Sequence, residues 1–115
     1  MDINPVYETN SILQEGLNRK ASDIHFHPTE NKVTLQLRVN GLLEPFRDYS
    51  LNQYPGLVNR LKVMANIESA AGQPMLDGRF EFTGHQGKRN FRISLIPALN
   101  GPSMVLRILS TRLDI

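Results

Sequence analysis

The stretch Val33-Thr34-Leu35-Gln36-Leu37-Arg38-Val39-Asn40-Gly41 constrains the fold more than any other part of this chain. Val33, Leu35, Leu37 and Val39 recur at every second position, with Thr34, Gln36 and Arg38 between them. That is the period of a strand with one apolar and one polar face. Asn40-Gly41 then supplies two residues that tolerate positive φ, as a type I′ hairpin turn requires. Leu42 to Phe46 returns as the partner strand, so this part of the chain is committed to antiparallel pairing.

The rest of the chain falls in line around this hairpin. Upstream, Asn4-Pro5 reads as an N-cap followed by proline at the first helical position. Ile12, Leu13, Leu17 and Ala21 keep helical spacing, which predicts a helix over 5–20; Gly16 interrupts it at a cost of about 1 kcal/mol relative to Ala. Ile24 and Phe26 alternate with His25 and His27 in a strand that Pro28 stops. Downstream, Ser50 and Gln53 have the spacing of a capping box, but Pro55 favours a helix starting near Tyr54. Leu57, Val58, Leu61, Met64 and Ala65 form its apolar stripe, with Asn59, Arg60 and Lys62 outside it. A loop over 70–74 follows. Three more strands come next: Arg79 to Thr83, a segment around Phe91, Ile93 and Leu95, and Met104 to Leu109. The fold expected is α+β, in the order α-β-β-β-α-β-β-β, with about six antiparallel strands and two helices on one face.

Composition narrows the chemistry. The chain has 115 residues and no cysteine, which removes disulfides, thiolate zinc sites and thiol nucleophiles together. One domain is the expectation at this length. No apolar run approaches the roughly 20 residues of a membrane span, and the N-terminus lacks the pattern of a signal peptide. A net charge of +2 without a dense basic block is only weak evidence for nucleic acid. His25 and His27 would project the same way, about 7 Å apart, but no third ligand is in view. They read as two surface histidines, and no metal site is expected. Gly87-Lys88 is no phosphate loop, because Arg89 stands where Ser or Thr is needed and Phe82 where the first glycine belongs. Ser22, Asp23, His25 and Ser94 lack the spacing of a nucleophile set, so no catalytic residue is expected in this stretch. What remains are arginines inside strand patterns: Arg38, Arg79, Arg92 and Arg107. A charge there usually marks the solvent face. The alternative is a phosphate contact, for which guanidinium offers a bidentate, always-charged donor.

Six segments in order carry a resemblance. Ala21-Ser22-Asp23-Ile24-His25-Phe26-His27-Pro28 is similar to an A-S-D-I-H-x-x-P motif. Leu37-Arg38-Val39-Asn40-Gly41-Leu42-Leu43 is similar to R-x-D-G-x-L, with Asn40 in place of Asp. Arg60-Leu61-Lys62-Val63-Met64-Ala65 matches R-I-K-x-M-A, and Asp77-Gly78-Arg79-Phe80 the end of P-Q-D-G-R-F. Arg92-Ile93-Ser94-Leu95-Ile96-Pro97 and Val105-Leu106-Arg107-Ile108-Leu109 complete the set. Together they resemble the N-terminal, PAS-like domain of the hexameric secretion ATPases of type II secretion, type IV pili and competence pseudopili.

The resemblance implies that residues 1–115 form one N-terminal regulatory domain, which is not itself an enzyme. An ATPase core with a Walker A motif would follow Ile115, and the short lead before Ala21 favours the competence-type form. ATP and Mg2+ would be cofactors of the full-length protein, and none would belong to this stretch. The partners implied are the ATPase core and neighbouring subunits of a homohexamer, at the cytoplasmic side of a membrane complex. Arg92 and Arg107, with Arg79 as a third position, match the arginines that reach nucleotide phosphate in that family. Met75-Leu76 replaces P-Q, Ala71-Gly72-Gln73 replaces an acidic-basic run, and Pro102 replaces the Glu of G-E. Two other readings follow from the residues alone: a ligand-binding PAS-like sensor, whose cavity Ile24, Leu35, Phe80 and Phe91 would more simply fill, and a nucleic-acid module. Phe80, Phe82 and Phe91 share the apolar face and offer such a module no stacking surface.

Overall fold

A computed structural model describes residues 2–68 and 75–109. The expected loop over 70–74 and the expected boundary at Ile115 lie outside the described residues. Two helices, α1 (Pro5–Asn18) and α2 (Tyr54–Met64), accompany six strands: β1 (Asp23–Pro28), β2 (Val33–Val39), β3 (Leu42–Tyr49), β4 (Leu76–Gly84), β5 (Gly87–Ile96) and β6 (Ser103–Leu109). The strands form one antiparallel sheet in the order β3-β2-β1-β6-β5-β4. Both halves of the chain thus contribute three strands, and β1 and β6 join them at the centre. This is the expected α+β, PAS-like architecture.

Local chemistry explains the element ends. Asn4 Oδ1 accepts from the Val6 and Tyr7 amides at 3.0 and 3.1 Å, capping α1. The helix stops at Asn18, two residues before the expected end, because Lys20 takes φ +56°. There the Lys20 amide donates to the Leu17 carbonyl and the Ala21 amide to the Gly16 carbonyl, a Schellman closure with lysine in the left-handed position. Asn66, at φ +55°, closes α2 in the same way through the Val63 and Lys62 carbonyls. Ser50 and Gln53 do bond reciprocally, at 2.9 and 3.3 Å, yet α2 begins at Tyr54 as Pro55 required. The pair closes the turn ahead of the helix.

Asn40 and Gly41 adopt φ +53° and +81°, so the hairpin turn is of the expected kind. β3 runs three residues past the expected Phe46, because Thr34↔Asp48 and Val33↔Tyr49 pair through the backbone whatever their side chains. β4 and β5 are longer than expected for the same reason, continuing to the pair Gly84↔Gly87. Pro45 is accommodated because β3 is an edge strand. Beside it the register shifts, so that Leu35 faces Arg47 and Gln36 faces Pro45, with Phe46 between them as a bulge.

The core lies between the sheet and the helices. Ile24, Phe26, Leu35, Leu37, Phe91, Ile93, Leu95, Met104 and Leu106 line it from the sheet, Ile12, Leu13, Leu57 and Leu61 from the helices, and all are buried. Ile24, Leu35, Phe80 and Phe91 fill the interior as expected. Phe80 and Phe91 stack at 5.1 Å, and Phe82 meets Phe91 edge-on. Gly16 acquires a reason here. A Cβ on it would lie 2.9 Å from Ile24 Cδ1, so glycine lets α1 settle against β1. No helix among the described residues is long and apolar enough to cross a membrane.

Candidate functional site

Because side chains alternate along each strand, burying one face leaves the opposite face of the sheet to the polar set. On that face the register brings the arginines together. Arg79 on β4 stands opposite Arg92 on β5. Arg92 stands opposite Arg107 on β6. Arg107 stands opposite Asp23 on β1, and Asp23 opposite Arg38 on β2. Five strands thus carry one row, Arg79-Arg92-Arg107-Asp23-Arg38, with four guanidiniums and a single carboxylate. All four arginines of the sequence reading fall in this row, although they are scattered over 70 positions of chain.

The carboxylate is the feature that sequence reasoning missed. Asp23 is the only buried charged side chain among the described residues. Its Oδ1 accepts from Arg107 Nε at 3.2 Å, and its Oδ2 lies 3.4 Å from Arg38 Nε. Ser22 Oγ donates to Oδ2 at 3.2 Å. Arg38 is tied further by donating from Nη1 to the Gly41 carbonyl at 2.9 Å. Arg107 keeps 67% of its side chain exposed. Arg79 and Arg92 are exposed, and neither forms an ion pair with a carboxylate among the described residues. Nearby, Ser94 Oγ donates to Asp77 Oδ1 at 2.8 Å. Arg92, Ser94, Val105 and Arg107 line a shallow groove of about 170 Å³. The missed signal was parity: Asp23 alternates with Ile24 exactly as His25 does with Phe26, which places it on the arginine face.

The histidines divide. His27 is exposed, as expected. His25, expected at the surface too, is half-buried, and its Nε2 has no hydrogen-bond partner among the described residues. Burial lowers its pKa below 6.5; the Asp23 carboxylate opposes that, and the Arg38 and Arg107 cations reinforce it. Among the described residues no three His, Cys, Asp or Glu side chains gather in a way that could hold a metal ion. Arg60, expected on the outer side of α2, is half-buried instead, with its Nε enclosed and without a hydrogen-bond partner among the described residues.

Chemically, the row is a strip of guanidinium on a rigid sheet, short of carboxylates. It suits an anion with several oxygens, and phosphate above all. The profile of the type II/IV secretion system protein family matches residues 2–114. The chain belongs to that family. It is 37% identical over 97 residues to the protein transport protein HofB homolog of Escherichia coli K12, covering 84% of this chain and 21% of that protein. It is 34% identical over 100 residues to the type II secretion system protein E of Pseudomonas aeruginosa, covering 87% and 20%. It is 34% identical over 101 residues to the type IV pilus assembly ATPase PilB of Acinetobacter baylyi, covering 87% and 17%. The chain therefore spans about a fifth of the length of these relatives. Its fold is similar to that of the pilus retraction motor PilT solved with ADP, with a TM-score of 0.63 at 19% identity, covering 91% of this chain and 30% of that one. Within the type II/IV secretion family, the segment carries two helices and a sheet on whose polar face Arg79, Arg92 and Arg107 are exposed among the described residues.

Proposed function

We propose that this segment is the N-terminal domain of a hexameric secretion or pilus ATPase, and that it lends Arg92 and Arg107, with Arg79 as a third donor, to nucleotide bound by the ATPase core. The observation that carries this reading is the register row. Three cations are held side by side on neighbouring strands, and the two nearer the β4 edge, Arg79 and Arg92, have no carboxylate partner among the described residues. Like charges directly opposite one another on a sheet are destabilising, so an anionic partner is the simplest compensation. ATP with Mg2+ on the core supplies that anion and the phosphoryl chemistry. The domain's own part is to bind and orient. Guanidiniums on paired strands reach phosphate oxygens from a rigid frame, and their affinity differs between nucleotide states. A ligand shifts a domain equilibrium only by that difference, so nucleotide turnover moves this domain relative to the core. Movement of that kind, repeated around a homohexamer at the cytoplasmic face of a membrane complex, drives the transport that the relatives' names describe. The test is ATP turnover of the full-length protein bearing Arg92→Ala or Arg107→Ala. The reading predicts a loss of turnover with the domain still folded; unchanged turnover in both variants would overturn it.

A further inference from the structure

The row contains two residues that the phosphate-contact reading leaves without a task, Asp23 and Arg38. Asp23 is buried, acidic, and set between Arg107 and Arg38. A buried carboxylate is costly unless paired, and here both oxygens are engaged. The manner of engagement is informative. Arg107 approaches Asp23 only through Nε, at 3.2 Å. That leaves the two terminal amino groups of a largely exposed side chain without a partner among the described residues, and they are the bidentate fork that matches phosphate oxygens. The second cation on Asp23 is of another kind. Arg38 is half-exposed and fixed at its far end to the Gly41 carbonyl at 2.9 Å, inside the β2–β3 turn. Arg38 is thus anchored to the turn as well as to the carboxylate, whereas among the described residues Arg107 is held by the carboxylate alone.

We infer that Asp23 is a positioning residue for phosphate recognition. It grips Arg107 by Nε, fixes the plane of the guanidinium and leaves its terminal amino groups facing the groove shared with Arg92. Arg38 and the Ser22 hydroxyl complete the carboxylate's partners from the other side, so that Asp23 stays in place whether or not Arg107 is engaged by an anion. Without Asp23, Arg107 is a long side chain free to sample many rotamers beside a like charge at Arg92. Ordering it then costs free energy at the moment of phosphate contact. This inference rests on the phosphate-contact reading of Arg107.

The experiment is a double-mutant cycle on the full-length protein: Asp23→Asn, Arg107→Ala and both together, with kcat and KM for ATP measured for each, and Lys32→Ala as a control far from the row. Asp23→Asn keeps the size of the side chain and removes its charge. We expect Asp23→Asn to lower kcat by about tenfold or more, the scale on which misplaced groups lose rate, with KM changed far less. In the Arg107→Ala background the same substitution should have no further effect, because a residue that acts through Arg107 has nothing left to position. A role confined to folding would instead lower activity in both backgrounds. Where Asp23→Asn does not fold, Asp23→Glu runs the same cycle; it retains the charge and displaces it by one methylene. The inference is overturned if turnover falls for Arg107→Ala but not for the Asp23 variants, or if the two losses multiply; in either case the phosphate-contact reading survives. Full turnover in Arg107→Ala itself overturns the inference and removes Arg107 from the phosphate-contact reading.

Discussion

Arg79 and Arg92 stand directly opposite each other on β4 and β5, two exposed cations in one cross-strand pair. Such pairs destabilise a sheet, by an amount similar to the roughly 0.2–1 kcal/mol that favourable pairs contribute. Arg92 faces a second cation, Arg107, on its other side. The position therefore carries a small conflict between folding and the proposed task.

Arg92→Gln should accordingly leave the domain as stable as the parent or slightly more so, by a few tenths of a kcal/mol. The gain should shrink at high salt, because exposed charges are screened. Denaturant midpoints at low and high ionic strength decide the matter. A clear loss of stability at both would show that Arg92 is a structural residue.

In the full-length protein the same face should govern catalysis. Arginines supplied to a phosphoryl-transfer site are worth roughly 10³–10⁵ in rate in the best-studied cases. Arg92→Ala and Arg107→Ala should each reduce ATP turnover by about tenfold at least, and Lys at either position should rescue poorly, since it lacks the planar fork. Lys32→Ala is the fitting control. Lys32 pairs with Asp48 in the open, both more than half exposed. Arg60, with its enclosed Nε, would confound charge with packing.

The hairpin turn offers a test of backbone strain. Gly41 sits at φ +81° with open space where a Cβ would point, so a side chain there meets no steric barrier beyond the backbone itself. Gly41→Val and Asn40→Val should each cost on the order of 1–3 kcal/mol. Urea midpoints matching the parent for both would contradict the type I′ geometry.

Gly78 is needed for a different reason. A Cβ there would lie 2.9 Å from Ala65 Cβ and 2.8 Å from Ile67 Cδ1. The glycine lets the segment closing α2 rest on β4, one residue before Arg79. Gly78→Ala should destabilise the domain by roughly 1–3 kcal/mol through overpacking. Thermal melts should show it, and an unchanged melting temperature would mean that the contact relaxes freely.

His25 sets an acid limb on stability. Its pKa is lowered on folding from 6.5, first by burial, with Asp23 opposing and Arg38 and Arg107 assisting. The unfolded chain therefore binds more protons than the folded one between the folded pKa and 6.5. Stability is fully present above 6.5 and declines as pH falls through that window. Comparing midpoints at pH 7.5 and at a pH below 6.5 should show the decline in the parent and a smaller one in His25→Gln. Equal declines would assign the acid limb to other groups.

Much of this molecule was legible in one dimension. Period-two alternation named the buried apolar residues of β1, β2 and β5, since burial on one face is a local property of each strand, but not of β3, where Leu42 and Leu43 are exposed and Tyr49 is buried. Asn40-Gly41 fixed a turn, and Asn4-Pro5 and Pro55 set two helix starts, because each depends on a few neighbouring dihedrals. The helix ends at Lys20 and Asn66 were less legible, as neither residue type demands a left-handed conformation. Strand ends past Phe46 and before Phe91 were hidden too, because backbone pairing continues there without apolar side chains. What only the tertiary structure decided was proximity. The sequence shows Arg38, Arg79, Arg92 and Arg107 as separate charges on polar faces, and Asp23 as one letter of a motif. Placing β1 against both β2 and β6, and β5 between β4 and β6, puts the five in one row. Strand order and register are set by packing across the whole sheet, and no local pattern encodes that a carboxylate near the start of the chain grips an arginine 84 residues later.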